Sequence, residues 1–281
     1  MDKNLIQRSI AGLVFLAIMV SGIVYNDTIL ICLFCLISLL SILEFTKLVA
    51  IKLDLGQNRS LLIGIQVLTV LLASFSLILL KYSYYPRQII PINIALIFIL
   101  NGLLFLQNGS IGQRLLRITT FIFSILYIII PFFIISSLGL IYEHNNINFT
   151  VLYLFILVWL NDTFAYVVGR LIGRHKLAES ISPKKTIEGF VGGICFAVLG
   201  SYILSITANI DLGNPIVYLI APIAIGVFAT FGDLFESALK RWVGVKDSGN
   251  LIPGHGGILD RFDGVIFAIP AYLILIIILN R

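Results

Sequence analysis

Long apolar stretches separated by short polar ones lay out the plan of this chain. Each stretch is close to the about 20 residues that an α-helix needs to cross a hydrocarbon core of roughly 30 Å. Nine such spans are predicted, over residues 9–25, 28–46, 61–80, 88–106, 116–140, 149–170, 188–208, 215–239 and 263–280. The expected fold class is therefore an all-α polytopic membrane protein. The first run follows Lys3 and Arg8 as a secretory signal would, but no small-residue cleavage site comes after it, so it reads as a retained helix. No repeat at a solenoid period is visible.

Composition agrees with this plan: the 281 residues are 59% hydrophobic and 12% charged. The mean hydropathy of +1.06 lies outside the range of a water-soluble domain. Cys32 and Cys35 sit three apart within one apolar run and Cys195 in another, which fits ordinary packing better than a disulfide framework or a metal pair.

Charge sorts the connecting segments by side. Of the 19 Lys and Arg, 16 fall in the N-terminal segment and in the even-numbered connections around 47–60, 107–117, 170–187 and 240–262. The positive-inside rule then puts the N-terminus and those four connections in the cytoplasm and the C-terminus outside. The net charge of +5 thus reports topology, and with no basic helix interleaved with aromatics it does not point to nucleic acid. The short N-terminus fits a bacterial plasma (inner) membrane.

Polar chemistry concentrates at that cytoplasmic side. Residues 240–264, KRWVGVKDSGNLIPGHGGILDRFDG, hold seven of the 33 charged side chains. Just upstream, in FGDLFESALKR, helical spacing puts Asp233, Glu236, Ser237, Lys240 and Arg241 on one face. A Glu236–Lys240 ion pair is expected at the helix mouth, but it does not account for Asp233, which lies roughly 10 Å deeper at 1.5 Å per residue. Asp260 and Asp263, three apart at the start of the last helix, can aim at one point. One of them is explained by the helix dipole; two beside a third on the neighbouring helix are not. Three carboxylates without cysteine favour a hard cation, Mg²⁺ before Zn²⁺. His255 could be a base, a ligand or a turn residue, and Gly256 and Gly257 beside it leave backbone donors open to an anion, as in a phosphate cradle.

The sixth span repeats this logic. Asp162, Tyr166 and Arg170 share one face with Gly169 and Gly173, and Asp162 lies roughly 12 Å below Arg170. A polar clasp of Asp162 with Tyr166 or Asn161 explains it as well as direct chemistry does. In SPKKTIEG, Ser182, Lys184, Lys185 and Thr186 precede a helix start, an arrangement suited to anions. Gly189, Gly192 and Gly193 are expected to let helices pack closely. Carboxylates for a divalent cation, basic groups and glycine turns are what handling a polyphosphate needs. Their place in the bilayer points to a nucleotide from the cytoplasm reacting with a lipid-embedded substrate.

Ser237-x-Leu239-Lys240-Arg241, four residues, Lys246-Asp247-x-Gly249, then Ile252-Pro253-x-His255-Gly256-Gly257-Ile258-x-Asp260-Arg261-Phe262-Asp263 resembles the signature of the phosphatidate cytidylyltransferases at every fixed position. The segments around Asp162–Arg170 and Ser182–Gly189 are similar to two further family segments. Together these motifs cover roughly the C-terminal 45% of the chain. The resemblance implies a catalytic transmembrane region over 141–281, with about four helices and two cytoplasmic motif loops, after about five transmembrane helices over 1–140. It implies transfer of a cytidylyl group from CTP to phosphatidic acid in the inner leaflet, with in-line attack of the lipid phosphate on the α-phosphorus. Asp233, Asp260 and Asp263 would hold Mg²⁺, with a second cation close by. Lys184, Lys185, Lys240 and Arg241 would clamp phosphates, Arg261 with them, while Asp162 and Tyr166 would shape the cavity. Arg170, Ser182, Thr186, Ser237, Gly256 and Gly257 complete the expected substrate-binding set. An anionic nucleophile needs no general base, which leaves His255 to phosphate binding or loop geometry. A homodimer is left open. Two other readings compete: a CTP-dependent polyprenol or lipid kinase, whose alcohol acceptor would need a base, and an ion-coupled transporter, whose charges should not crowd at one face.

Overall fold

A computed structural model describes residues 3–55, 59–82, 92, 95–97, 99–100, 102–104, 106–141, 148–208, 212, 214–252 and 256–279. In chain order the elements are α1 (Lys3–Val24), α2 (Asp27–Val49), α3 (Arg59–Tyr82) and α4, which runs Ile111–Ser124, through a π-helical turn Ile125–Ile129, and on over Ile130–Ile141. Then come α5 (Phe149–Ile172), β1 (Lys176–Ala178), β2 (Ser182–Thr186), α6 (Ile187–Thr207), α7 (Val217–Val243) and α8 (Leu259–Leu279). Among the described residues, the seven helices α2 to α8 are long and apolar enough to cross a membrane. This differs from the nine spans expected. The apolar part of α1, Ile10–Val24, is shorter than the rest, and about half of the span expected over 88–106 lies outside the described residues.

The chain divides into two compact units, the first formed by Met1–Leu140 with Asp247–Leu259 and the second by Ile141–Lys246 with Asp260–Arg281. In the first unit, Leu55, Leu62, Ile65, Leu100, Leu104 and Phe121 form an apolar core. A polar thread joins three of its helices: Thr46 donates to Gln66 at 2.9 Å, and Gln66 donates to Ser124 at 3.0 Å. Such side chains bond across helices because a membrane interior offers them no water. Arg117, fully buried, donates to the carbonyls of Leu55 and Asn108, each at 3.2 Å, and so fastens two polar connections at one end of α4.

In the second unit, α5 ends at Gly173 and hands over to an antiparallel hairpin with Lys176 opposite Thr186 and Ala178 opposite Ser182. The connection over 170–187, read from sequence as a loop, therefore contains two short strands. Thr186 ends the hairpin and caps α6, its hydroxyl accepting from the Gly189 N–H at 3.1 Å. The α5–α6 seam is built on small residues. A Cβ at Gly193 would stand 2.7 Å from the Asn161 carbonyl, so the two backbones meet only because none is there. At Gly232 of α7 a Cβ would collide with the Asp263 carbonyl of α8, which brings those helices together beside Asp233. Further along, Tyr153 stacks on Tyr272 with ring centroids 6.0 Å apart and bonds Ser201 at 2.6 Å.

Candidate functional site

The polar face of α7 continues to the end of that helix, where Lys240 is 9% exposed. Its ammonium lies 2.7 Å from Glu236 of the preceding turn and 2.6 Å from Asp260 of α8. The pair expected from the i, i+4 spacing forms, and a second carboxylate joins it from another helix. Glu236 is fully buried, and its other oxygen, Oε1, has no hydrogen-bond donor among the described residues. Lys240, expected to clamp phosphate, thus bridges two helices.

Asp233, one turn before Glu236, receives Lys185 from β2 at 2.7 Å and the Ser237 hydroxyl at 3.2 Å. The Lys185–Asp233 pair is more open, with side-chain exposures of 24% and 40%. Asp263 of α8 lies beside Asp233 and Glu236 and accepts the N–H of Gly264 at 2.7 Å. Asp162 of α5 accepts from its neighbour Asn161 at 3.2 Å, a bond within one helix and not the expected clasp between helices, and has Asp233, Lys185 and Arg261 as charged neighbours. Asp162, Asp233, Glu236, Asp260 and Asp263 therefore gather with Lys185, Lys240 and Arg261.

Other expected residues take more ordinary places. Tyr166 is 65% exposed, and its hydroxyl accepts from Arg170 at 3.3 Å. Thr186 is buried and committed to its capping bond. Ser182 and Lys184 lie on β2, Lys184 exposed, and Arg241 is exposed and donates to the Val245 carbonyl at 3.3 Å. Glu188 accepts the backbone N–H groups of Arg174 and His175 and so ties the start of the hairpin to α6. In the first unit, Gly256 has a φ of +84°, a value glycine adopts without strain, and its carbonyl accepts from Ile252 at 3.0 Å. His255 lies outside the described residues. The first unit also contains Glu44, buried in α2 and bonded to the segment that contains Gly257. No motif or spacing singles out Glu44; only its position in an apolar span could have drawn notice.

Five carboxyl groups meet three cations, and Glu236 Oε1 lacks a donor among the described residues. In kind and charge these oxygen donors fit a hard divalent cation. In this arrangement Lys185 and Lys240 hold two of the three aspartates expected to share one, and among the described residues no three acidic, histidine or cysteine side chains converge to enclose an ion.

Comparison with known proteins places these residues in context. A phosphatidate cytidylyltransferase of Staphylococcus haemolyticus is 49% identical over 127 residues, 45% of this chain and 48% of that protein. Those of Staphylococcus saprophyticus and Staphylococcus aureus are 48% and 46% identical over the same length. The chain thus spans about half the length of the curated relatives it matches. The model of the cytidylyltransferase family matches residues 6–279, nearly end to end. A chain of membrane-length helices with this acidic and basic cluster belongs to the cytidylyltransferase family.

Proposed function

We propose that the chain is a phosphatidate cytidylyltransferase, which converts CTP and phosphatidic acid into CDP-diacylglycerol and pyrophosphate. The observation that carries this reading is the gathering of five carboxylates and three cations on α5, β2, α7 and α8, within a family whose relatives bear that name. A lipid phosphate oxygen attacks the α-phosphorus of CTP, the bond to the β-phosphate breaks, and pyrophosphate leaves on the opposite side with the electron pair. The nucleophile is already an anion, so the protein has mainly to align two phosphates and neutralise charge.

Lys185 suits the second task because its partner Asp233 is partly open, so an arriving phosphate can compete for the ammonium. Lys184, Arg241 and Arg261 are exposed and able to reach a polyphosphate. Asp233, Asp260 and Asp263 would hold Mg²⁺, which when bound offsets the charge of the triphosphate. With nine spans, the distribution of Lys and Arg supports an N-terminus in the cytoplasm, a C-terminus outside and a site open to the cytoplasmic face of a plasma membrane.

The test supplies purified protein with CTP labelled in the cytosine, Mg²⁺ and phosphatidic acid in mixed micelles. Pyrophosphate release with label entering the lipid is the expected result. Release of CDP with phosphorylation of an added polyprenol would assign a kinase instead, and no CTP consumption would overturn the reading.

A further inference from the structure

We propose that Glu44 is a positioning residue that sets the start of α8, and with it Asp260; its catalytic consequence rests on the reading above, while the anchoring itself does not. Glu44 lies on α2, a membrane-length helix whose other charged side chains, Asp27 and Lys47, stand in its first and last turns, and is 4% exposed. Its Oε1 accepts the Ile258 N–H at 3.0 Å, and its Oε2 accepts the Leu259 N–H at 2.9 Å and the Ser248 hydroxyl at 3.1 Å. Both ends of one segment are thereby tied to a single carboxylate more than 200 residues away in sequence.

The surroundings of Glu44 are shaped around that carboxylate. A Cβ at Gly249 would stand 2.5 Å from Oε1, and one at Gly257 would press on Oε2. Two glycines therefore leave the space that the side chain fills. The N–H groups of Ile258 and Leu259 are among the donors that the first turn of a helix cannot satisfy internally. The residue before this turn, Ile258, has no side-chain acceptor with which to cap it locally. Glu44 supplies the cap from a distance, and its charge also suits the positive end of the helix dipole.

Holding a helix end through a buried carboxylate of a distant helix is a demanding arrangement. Its gain is rigidity at a chosen place. Leu259 is followed directly by Asp260, whose carboxylate is held by Lys240 at 2.6 Å. The residue before the aspartate is held through its N–H by Glu44, and the aspartate's own side chain is held by Lys240. Loss of Glu44 frees the backbone and leaves every phosphate-binding cation in place, so it should lower turnover without weakening substrate binding.

The experiment compares wild type with Glu44→Ala, Glu44→Gln, Glu44→Asp and Gly249→Ala in detergent. Hydrogen exchange of the peptide covering residues 247–259 and steady-state kinetics are measured on the monodisperse fraction. In Glu44→Ala the amides of Ile258 and Leu259 should exchange about tenfold faster or more, and kcat should fall at least about tenfold with KM for CTP and lipid within about threefold. Glu44→Asp should recover part of both, and Gly249→Ala, which displaces the carboxylate without removing it, should move both the same way. Unchanged exchange in Glu44→Ala and Gly249→Ala overturns the anchor. Faster exchange with unaltered kcat, or a loss confined to KM, overturns the positioning role. If the wild type makes no CDP-lipid, the reaction assignment fails by itself, and the exchange data still decide the anchor.

Discussion

Replacing Lys240 with methionine tests how the charged end of α7 is held together. Methionine keeps most of the stem and removes the ammonium, which strands two carboxylates at once: Glu236, with no exposed surface, and Asp260, whose side chain is 6% exposed. Removing one partner of a buried pair costs about 3–5 kcal/mol, because the remaining charge keeps its desolvation penalty and loses its compensation. Asp260 lies near the end of its helix and can recover some water, so the lower part of that range, about 3–4 kcal/mol, applies here. At roughly 2–4 °C per kcal/mol the midpoint should fall by roughly 6–16 °C. Trp159 and Trp242 provide the signal for a thermal scan by intrinsic fluorescence in detergent. Adding Glu236→Gln to Lys240→Met removes one of the stranded charges and should restore about half of the loss. A midpoint within about 2 °C of wild type for the single variant, or no recovery in the double, would refute the bridge as a source of stability. The double variant also separates two roles for Lys240: restored stability with abolished turnover would show that its ammonium is needed for the reaction itself.

Three further outcomes are expected. Lys185→Met should change stability by less than about 1 kcal/mol, because its pair with Asp233 is open to solvent; CTP turnover should fall at least about tenfold, and full activity would remove Lys185 from the phosphate clamp. Gly193→Val should abolish a monodisperse peak in size-exclusion chromatography, since its Cβ alone would crowd the Asn161 carbonyl at 2.7 Å; a normal peak and midpoint would mean that the α5–α6 seam can open. A cytoplasm-dependent reporter inserted at Asn250 should be active and one fused after Arg281 inactive, and the reverse pattern would invert the proposed orientation.

Periodicity made much of the second unit legible in advance. The i, i+4 spacing of Glu236 and Lys240 announced their bond, and equal depths of Asp162 and Asp233 announced that they would be neighbours. Small residues at Gly189, Gly192 and Gly193 announced the tight seam. Helical spacing describes one helix at a time, however, and so could not show that Lys240 turns to Asp260 or Lys185 to Asp233. Glu44 was further out of reach, because its partners lie 204 to 215 residues away and an isolated acid in an apolar run has no pattern. The hairpin at 176–186 was hidden for another reason: strands of three and five residues in a basic connection show no alternation of apolar and polar positions.

The order of bonds around Lys240 bears on biogenesis. A ribosome releases α7 before α8, so Glu236 and Lys240 meet the translocon while Asp260 is still inside the ribosome. A lone charge opposes insertion, by about 2.5–3.5 kcal/mol at mid-membrane and by less toward the helix mouth where this pair lies. A carboxylate and an ammonium one turn apart on the same helix can neutralise each other during passage, so α7 carries its own counter-ion into the lipid. Asp260 then arrives to find an ammonium already installed, and its bond fastens α8 to a helix that has settled. The intrahelical bond serves entry into the membrane and the interhelical bond serves closure, with one lysine supplying both in turn.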